Sequence, residues 1–211
     1  MALFYSNFEK AVREMAQPIR SVAMNPKRTV VINVDTINGF FRIGALSSPR
    51  LEAVIPKIME VNEYFAFSRK VFFVDRHTDS SPELKVYPSH CVEDEECQII
   101  DELQNFAKSS NSTIIHKNST NGFFSNKFVL WLRDNIEVTD NFVVTGGATD
   151  ICVMQFVLSL KAYFNESNMK QRVAIVENAI QTFDSENHDG NKMHAFAVYN
   201  MMMNGVNVYT I

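Results

Sequence analysis

Short apolar runs separated by stretches of helical periodicity recur along this chain, and that alternation restricts the fold more than any single residue does. Arg28 to Asp35, Lys70 to Asp75, Ser112 to His116, Phe142 to Thr145, Arg172 to Glu177 and Val206 to Thr210 each read as a strand. Between them, Pro49 to Phe67, Glu95 to Ala107, Ser125 to Asp134, Asp150 to about Phe164 and Ser185 to about Met203 read as helices. Ser48 stands where an N-cap belongs, Pro56 interrupts the helix behind it, and Ile99, Leu103 and Phe106 share one side of theirs. Phe4, Phe8, Val12, Met15 and Ile19 recur at helical spacing, so the chain opens with an amphipathic helix that Pro18 helps to end. Strands this apolar are buried on both faces, and helices between them supply the cover. The expectation is a doubly wound three-layer α/β/α sandwich with a mainly parallel six-stranded sheet.

Composition narrows the partners. A net charge of −4 recruits neither nucleic acid nor an anionic membrane, and no apolar run approaches a membrane span. Glu9, Lys10, Arg13 and Glu14 break up the N-terminal apolar residues, which excludes the apolar stretch of a signal peptide. Three cysteines in 211 residues make no disulfide framework, and a reducing, cytoplasmic setting is expected. Self-association through surface helices is left open.

In a sheet of this kind, sites are built beyond the carboxyl ends of the strands. The first strand ends in Asp35, the second in Asp75, the third in His116-Lys117, and the fourth runs through Gly146-Gly147 to Cys152 at the first turn of a helix. A helix N-terminus favours thiolate over thiol and offers N–H groups to an oxyanion. A carboxylate able to take the thiol proton and a lysine able to steady negative charge complete a nucleophilic site. Each residue also has an ordinary use: a cysteine packs as a small hydrophobe, an aspartate caps a loop, a lysine is solvated. Their coincidence on separate strand ends favours chemistry. Asp75, His77, Glu83 and His90 form a second constellation, two imidazoles and two carboxylates suited to Zn²⁺, Fe²⁺ or Mn²⁺, with a solvated loop as the competing reading. Cys91 and Cys97 lack the helix-start setting and read as structural. His116 reads as packed, the acidic run Glu93 to Glu96 as a solvated helix start, and His188 and His194 as surface groups on the last helix.

Val34-Asp35-Thr-Ile-Asn-Gly-Phe40, Val74-Asp75-Arg-His77, Tyr87-Pro-Ser-His90-Cys91-Val92, His116-Lys117 and Val144-Thr-Gly-Gly-Ala148-Thr-Asp-Ile-Cys152-Val153 together resemble the isochorismatase-like cysteine hydrolases, the nicotinamidase (pyrazinamidase) branch above all. The similarity runs from about Arg28 onward and includes Glu186-Asn187-His188, so residues 28–211 form one such domain and residues 1–27 a helical extension. The resemblance implies Cys152 as nucleophile, Asp35 as general base and Lys117 as the third catalytic member. It implies Asp75, His77, Glu83 and His90 as ligands of one divalent ion, zinc foremost. It also implies a cis peptide between Gly147 and Ala148, an oxyanion hole from the Ala148 and Cys152 N–H groups, and Phe40 and Tyr87 against the substrate ring. The implied activity is hydrolysis of a small-molecule amide, nicotinamide to nicotinate and ammonia, through a thioester, in NAD salvage.

Three departures fall on this pattern. Glu93 to Glu96 replace a glycine- and threonine-containing turn, Asn178 replaces a common aspartate, and Thr120 stands where an aromatic is usual, with Phe123 placed to line the substrate pocket instead. Competing readings are an amidase for N-carbamoyl or other small amides and a non-catalytic member of the family. The metal quartet argues against the first, and the Asp35, Lys117, Cys152 set against the second. The vinyl-ether hydrolysis of isochorismatase does not need the cysteine, and Gly146-Gly147 lacks the G-x-G-x-x-G spacing of a dinucleotide site.

Overall fold

The computed structural model describes residues 2–92 and 94–211, with side chains described from residue 7 onward outside position 93. Glu93 and the side chain of Phe4 therefore lie outside the described residues. Among the described residues, seven strands form one sheet: β1 (Gln17–Pro18), β2 (Thr29–Val34), β3 (Arg69–Asp75), β4 (Ser112–Lys117), β5 (Asn141–Gly147), β6 (Arg172–Gln181) and β7 (Asn207–Thr210). They are ordered β1-β7-β6-β5-β2-β3-β4, and every pairing is parallel. The expected doubly wound α/β architecture is present, with seven strands in place of six. The additional strand, β1, is a two-residue pairing with β7, too short to leave a pattern in sequence.

The helices are α1 (Ala2–Met15), α2 (Asn38–Phe41), α3 (Pro49–Glu52), α4 (Ile55–Tyr64), α5 (Gln104–Ala107), α6 (Asn126–Asn135), α7 (Met154–Glu166) and α8 (Gly190–Met203). Alternation along the strands divides the core. Val30, Ile32 and Val34 of β2 face one apolar layer with Phe128 of α6, Phe156 and Leu160 of α7, and Val198 of α8. Val31 of β2, with Phe72 and Val74 of β3, faces the other layer, with Leu51 of α3 and Ile58 and Val61 of α4. Among the described residues, no helix is long and apolar enough to cross a membrane.

Three expected helices are altered. Ser48 does cap, its Oγ accepting from the Arg50 N–H at 3.3 Å, but the 49–67 stretch breaks into α3 and α4, with Pro56 inside the first turn of α4 where its missing N–H costs nothing. The 95–107 stretch is helical only from Asp101, in a 3-10 turn followed by α5. Its earlier part bonds across space, with the Asn38 and Gly39 N–H groups donating to the carbonyls of Gln98 and Glu96. The last helix begins at Gly190, capped by Asp189, because residues 182–189 form a strap over the sheet end.

The chain runs outward through β2, β3 and β4, then returns to place β5 on the other side of β2. The β2/β5 boundary is the topological switch point, where a crevice opens at the strand ends. Val34 pairs with Gly146 there, and Asp75 pairs with Lys117 two strands over. Gly146 has φ +112°, and a Cβ on it would lie 2.1 Å from the Val34 carbonyl oxygen. Gly146→Ala therefore forces the two central strands apart. A loss of about 2–4 kcal/mol in urea unfolding is expected, and a variant as stable as the parent would show that this contact is not needed.

Candidate active site

Asp35 leaves β2 with φ +49°, a left-handed conformation that aspartate tolerates better than most residues. Its carboxylate is buried and lies 2.8 Å from Lys117 Nζ through Oδ2. Asp75 Oδ1 approaches the same ammonium at 3.1 Å. Cys152 sits in a π-helical turn, Thr149–Val153, that begins α7, close enough for the Asp35 carboxylate to act on its thiol. The structure thus brings Asp35, Lys117 and Cys152 together, and the Gly147–Ala148 peptide ahead of the turn is cis.

Electrostatics assigns the protons. Burial pushes the Asp35 carboxyl up, Lys117 pulls it back and Asp75 raises it again, for a balance of about 6. Burial also pushes Asp75 up, but Lys117, His77 and His90 outweigh it and hold that carboxyl well below the usual range. Burial disfavours the Lys117 charge, yet Asp35 and Asp75 hold it well above an ordinary lysine, so it stays an ammonium. The helix-start argument predicts an acidified Cys152, and here the structure corrects the sequence. Burial drives the thiol well above its ordinary value; Lys117 opposes, but Asp35 and Asp75 add to the rise. The resting pair is a neutral thiol facing an ionised carboxylate.

Beside this pair, Asp75 Oδ2, His77 Nε2 and His90 Nε2 converge, with separations of 3.1 Å (Asp75–His77), 3.1 Å (His77–His90) and 3.5 Å (His90–Asp75). The outer ring nitrogens set the tautomers. His90 Nδ1 donates to the Pro88 carbonyl at 2.7 Å. His77 Nδ1 lies 3.3 Å from Asn118 Oδ1, an atom identified as oxygen by the Thr78 N–H that also donates to it. Both Nε2 lone pairs then point at each other and at a carboxylate, an arrangement that calls for a cation. A tetrahedral ion with bonds of about 2.0–2.1 Å has donors about 3.3 Å apart, so the trio fits Zn²⁺. Without an ion, the Asp75 hydrogen bond pushes His77 up, toward holding a proton where the metal would bind. Glu83 stands at the margin, 3.9 Å from His77 Nε2, its carboxylate accepting from the Thr120 N–H at 2.9 and 3.1 Å.

A cavity of about 630 Å³ opens over both clusters and is lined near them by Phe40, Tyr87, Ala148 and Cys152. Phe123 is not among its lining residues; it packs on Phe124, Phe128 and Tyr163 instead. Arg50 is the one arginine or lysine among the described lining residues. It is engaged by the Thr182 carbonyl, Gln181 Oε1, Asp184 and Asn191 Oδ1.

Two residues read as surface groups brace the turn that carries Cys152. His194 Nδ1 lies 3.0 Å from Thr149 Oγ1, with Glu177 behind its Nε2 at 3.3 Å. His188 Nε2 lies 2.8 Å from Asp150 Oδ2, and Thr182 Oγ1 donates to the other oxygen of that carboxylate at 2.5 Å. His188 precedes α8 rather than lying on it. The one sequence signal for this brace is the Glu186-Asn187-His188 stretch. His116 is exposed on the sheet edge rather than packed. Cys91 and Cys97 are buried free thiols, Cys97 pushed up to about 11 chiefly by burial. In residues 94–96, the described part of the acidic run, the chain forms a turn rather than a helix start: Asp94 and Glu95 are exposed as expected, Asp94 pairs with Arg76, and Glu96 accepts from the Cys91 N–H at 2.5 Å.

A family model for the isochorismatase domain matches residues 29–206. A comparison with curated proteins finds no match. Among solved structures, nicotinamidase from Bacillus subtilis superposes with a TM-score of 0.73 at 22% identity, covering 86% of this chain and 99% of that one. Pyrazinamidase of Pyrococcus horikoshii in complex with zinc gives 0.69 at 21% identity, covering 87% and 99%. N-carbamoylsarcosine amidase from Thermoplasma acidophilum gives 0.66 at 22% identity, covering 87% and 96%.

The convergent trio carries a direct test. Metal-free protein titrated with Zn²⁺ should saturate at one ion per chain, and His90→Ala should weaken binding by more than about 100-fold. Equal affinity in that variant would remove the trio as a metal centre.

Proposed function

The chain belongs to the isochorismatase family, and from that membership we propose that it is a cysteine-dependent amidohydrolase that converts nicotinamide to nicotinate and ammonia. The observation that carries this reading is the sharing of Asp75, whose Oδ1 contacts Lys117 while Oδ2 faces both imidazoles. A nucleophile and a candidate metal trio are thereby joined through one carboxylate at the end of one cavity. A divalent ion held by Asp75, His77 and His90 would bind the ring nitrogen and fix the ring, a positioning effect that converts encounter into alignment. Glu83, 3.9 Å from His77 Nε2, would be a further carboxylate beside that centre.

The protein's own groups account for the chemistry. Asp35 accepts the Cys152 proton as sulfur attacks the amide carbon, and the neighbouring Lys117 ammonium offsets the negative charge that then builds up. The Ala148 and Cys152 N–H groups are placed to hold the oxyanion. Asp35 returns the proton to the departing nitrogen, so ammonia leaves and a thioester remains. Asp35 then takes a proton from water, hydroxide adds to the thioester carbon, and the carboxylic acid departs with the thiol restored. Phe40 and Tyr87, which border the His90 ring at 5.8 and 6.1 Å between centroids, supply aromatic walls. With Arg50 engaged by Asp184 and Asn191, the described lining residues offer no free arginine or lysine to a substrate carboxylate, which favours a neutral ring amide over an N-carbamoyl amino acid. The product would enter NAD salvage.

Ammonia release from nicotinamide by the zinc-loaded protein tests this reading. Cys152→Ala should lower it by at least about 1,000-fold, and release that survives the substitution would remove the thioester route. The pH profile follows from Asp35, which must be ionised to accept the thiol proton. With its carboxyl near 6, kcat/KM should rise as pH is raised through about 6 and level off above it. A rate that falls through that interval would exclude Asp35 as the base.

A further inference from the structure

We propose that the outer part of the cavity is a second subsite that takes a neutral, apolar extension of the amide substrate, so that the preferred substrate is a substituted ring carboxamide. This rests on the amidase reading above and extends it to substrate class. The cavity measures about 630 Å³. Pockets of about 300–1,000 Å³ accommodate drug-sized molecules, and a single pyridine carboxamide seated between Cys152 and the Asp75–His77–His90 trio leaves most of this one unfilled.

The unfilled part has a built wall. One side comes from residues 45–51 and the other from the strap at 183–185, two segments far apart in sequence. Arg50 fastens them together, donating to the Thr182 carbonyl at 3.2 Å, Asp184 at 3.3 Å, Gln181 at 3.2 Å and Asn191 at 2.8 Å. Behind the strap, the His188 ring stacks on Phe183 at 4.0 Å and 8°, its Nδ1 donating to the Phe183 carbonyl at 2.9 Å. The bond from His188 to Asp150 ties the same strap to the turn that carries Cys152. Asp184 Oδ1 accepts from the Gly190 N–H at 2.6 Å, closing the far end. A wall fastened at this many points keeps its shape without a ligand, and preformed apolar space is where added apolar surface turns into affinity.

The chemistry of the wall sets that of the guest. Leu46, Pro49, Ile151 and Phe183 present carbon, while the two charges there, Arg50 and Asp184, neutralise one another. Neither an anionic nor a cationic extension finds an unpaired opposite charge among these residues. An alkyl or aryl group on the ring does find a surface to cover.

Two readouts separate the subsite from the reading it rests on. Cys152→Ala protein loaded with zinc leaves the amide intact, so binding of nicotinamide, 5-phenylnicotinamide and 6-phenylnicotinamide can be compared by calorimetry. At least one phenyl compound should bind about tenfold more tightly than nicotinamide. Leu46→Trp in the same background fills half-buried space at the wall and should lower that preference about tenfold. Phe183→Ala, which removes the opposite wall, serves as the second variant, and circular dichroism checks that both fold. Phenyl compounds that bind no better than nicotinamide would overturn the subsite while ammonia release from nicotinamide kept the amidase reading. A phenyl preference that neither substitution lowers would overturn the assignment of these walls. Absence of ammonia from every amide in the parent protein would remove the amidase reading and the substrate class with it.

Discussion

One buried ammonium organises the site. Lys117 lies between Asp35 and Asp75 at the closed end of the cavity, and all three are nearly inaccessible to solvent. Two carboxylates at that depth could not both stay ionised without a cation between them, and a lone lysine there would give up its proton. The ammonium holds the Asp35 carboxyl near 6 against its burial, the value that its proposed role as base uses, and it keeps Asp75 an anion able to face two imidazoles. Its own position is set by backbone pairing, since Asp75 and Lys117 are register partners on β3 and β4. A one-residue slip in that pairing would turn one of the two side chains to the opposite face of the sheet.

Much of this was legible in sequence because it is local. Each long strand declared itself as an apolar run, and Asp35, Asp75, Lys117 and Cys152 could be placed at strand ends by counting. The misreadings share a cause in partners distant along the chain. The 95–100 segment has helical spacing, yet its carbonyls are taken by Asn38 and Gly39. The stretch before α8 reads as helix, yet it is held as a strap by Arg50, more than 130 residues earlier. His188 and His194 look like surface groups until Asp150 and Thr149 are brought beside them. The protonation of Cys152 is hidden from sequence for the same reason. A helix start is visible in sequence, whereas burial and two carboxylates from other strands are not. The aromatic missing at Thr120 points to Phe123 as its replacement in the pocket, but the aromatic packing around α6 claims that ring.

The turn that carries Cys152, the proposed nucleophile, is held from two sides. Thr149 and Asp150, successive residues, are bound by histidines backed respectively by Glu177 at 3.3 Å and by the Phe183 carbonyl at 2.9 Å. A catalytic group on a loop is only as well aimed as the contacts behind it. Here those contacts come from β6, the strap and α8, so the cavity wall and the Cys152 sulfur share one set of supports.

The position of β5 also has a consequence for how the chain reaches this state. The innermost strand pair, β2 with β5, joins residues as distant as Asn33 and Thr145, which are 112 positions apart and hydrogen-bonded through their side chains. On the ribosome, β2, β3 and β4 are synthesised before the strand that covers the inner edge of β2. Until then a strand with six buried residues waits with its backbone unpaired on one side. Parallel pairings at such separation form slowly, because a long loop must close before any contact rewards it. The nascent N-terminal half is therefore the stage at which this chain presents its most aggregation-prone edge.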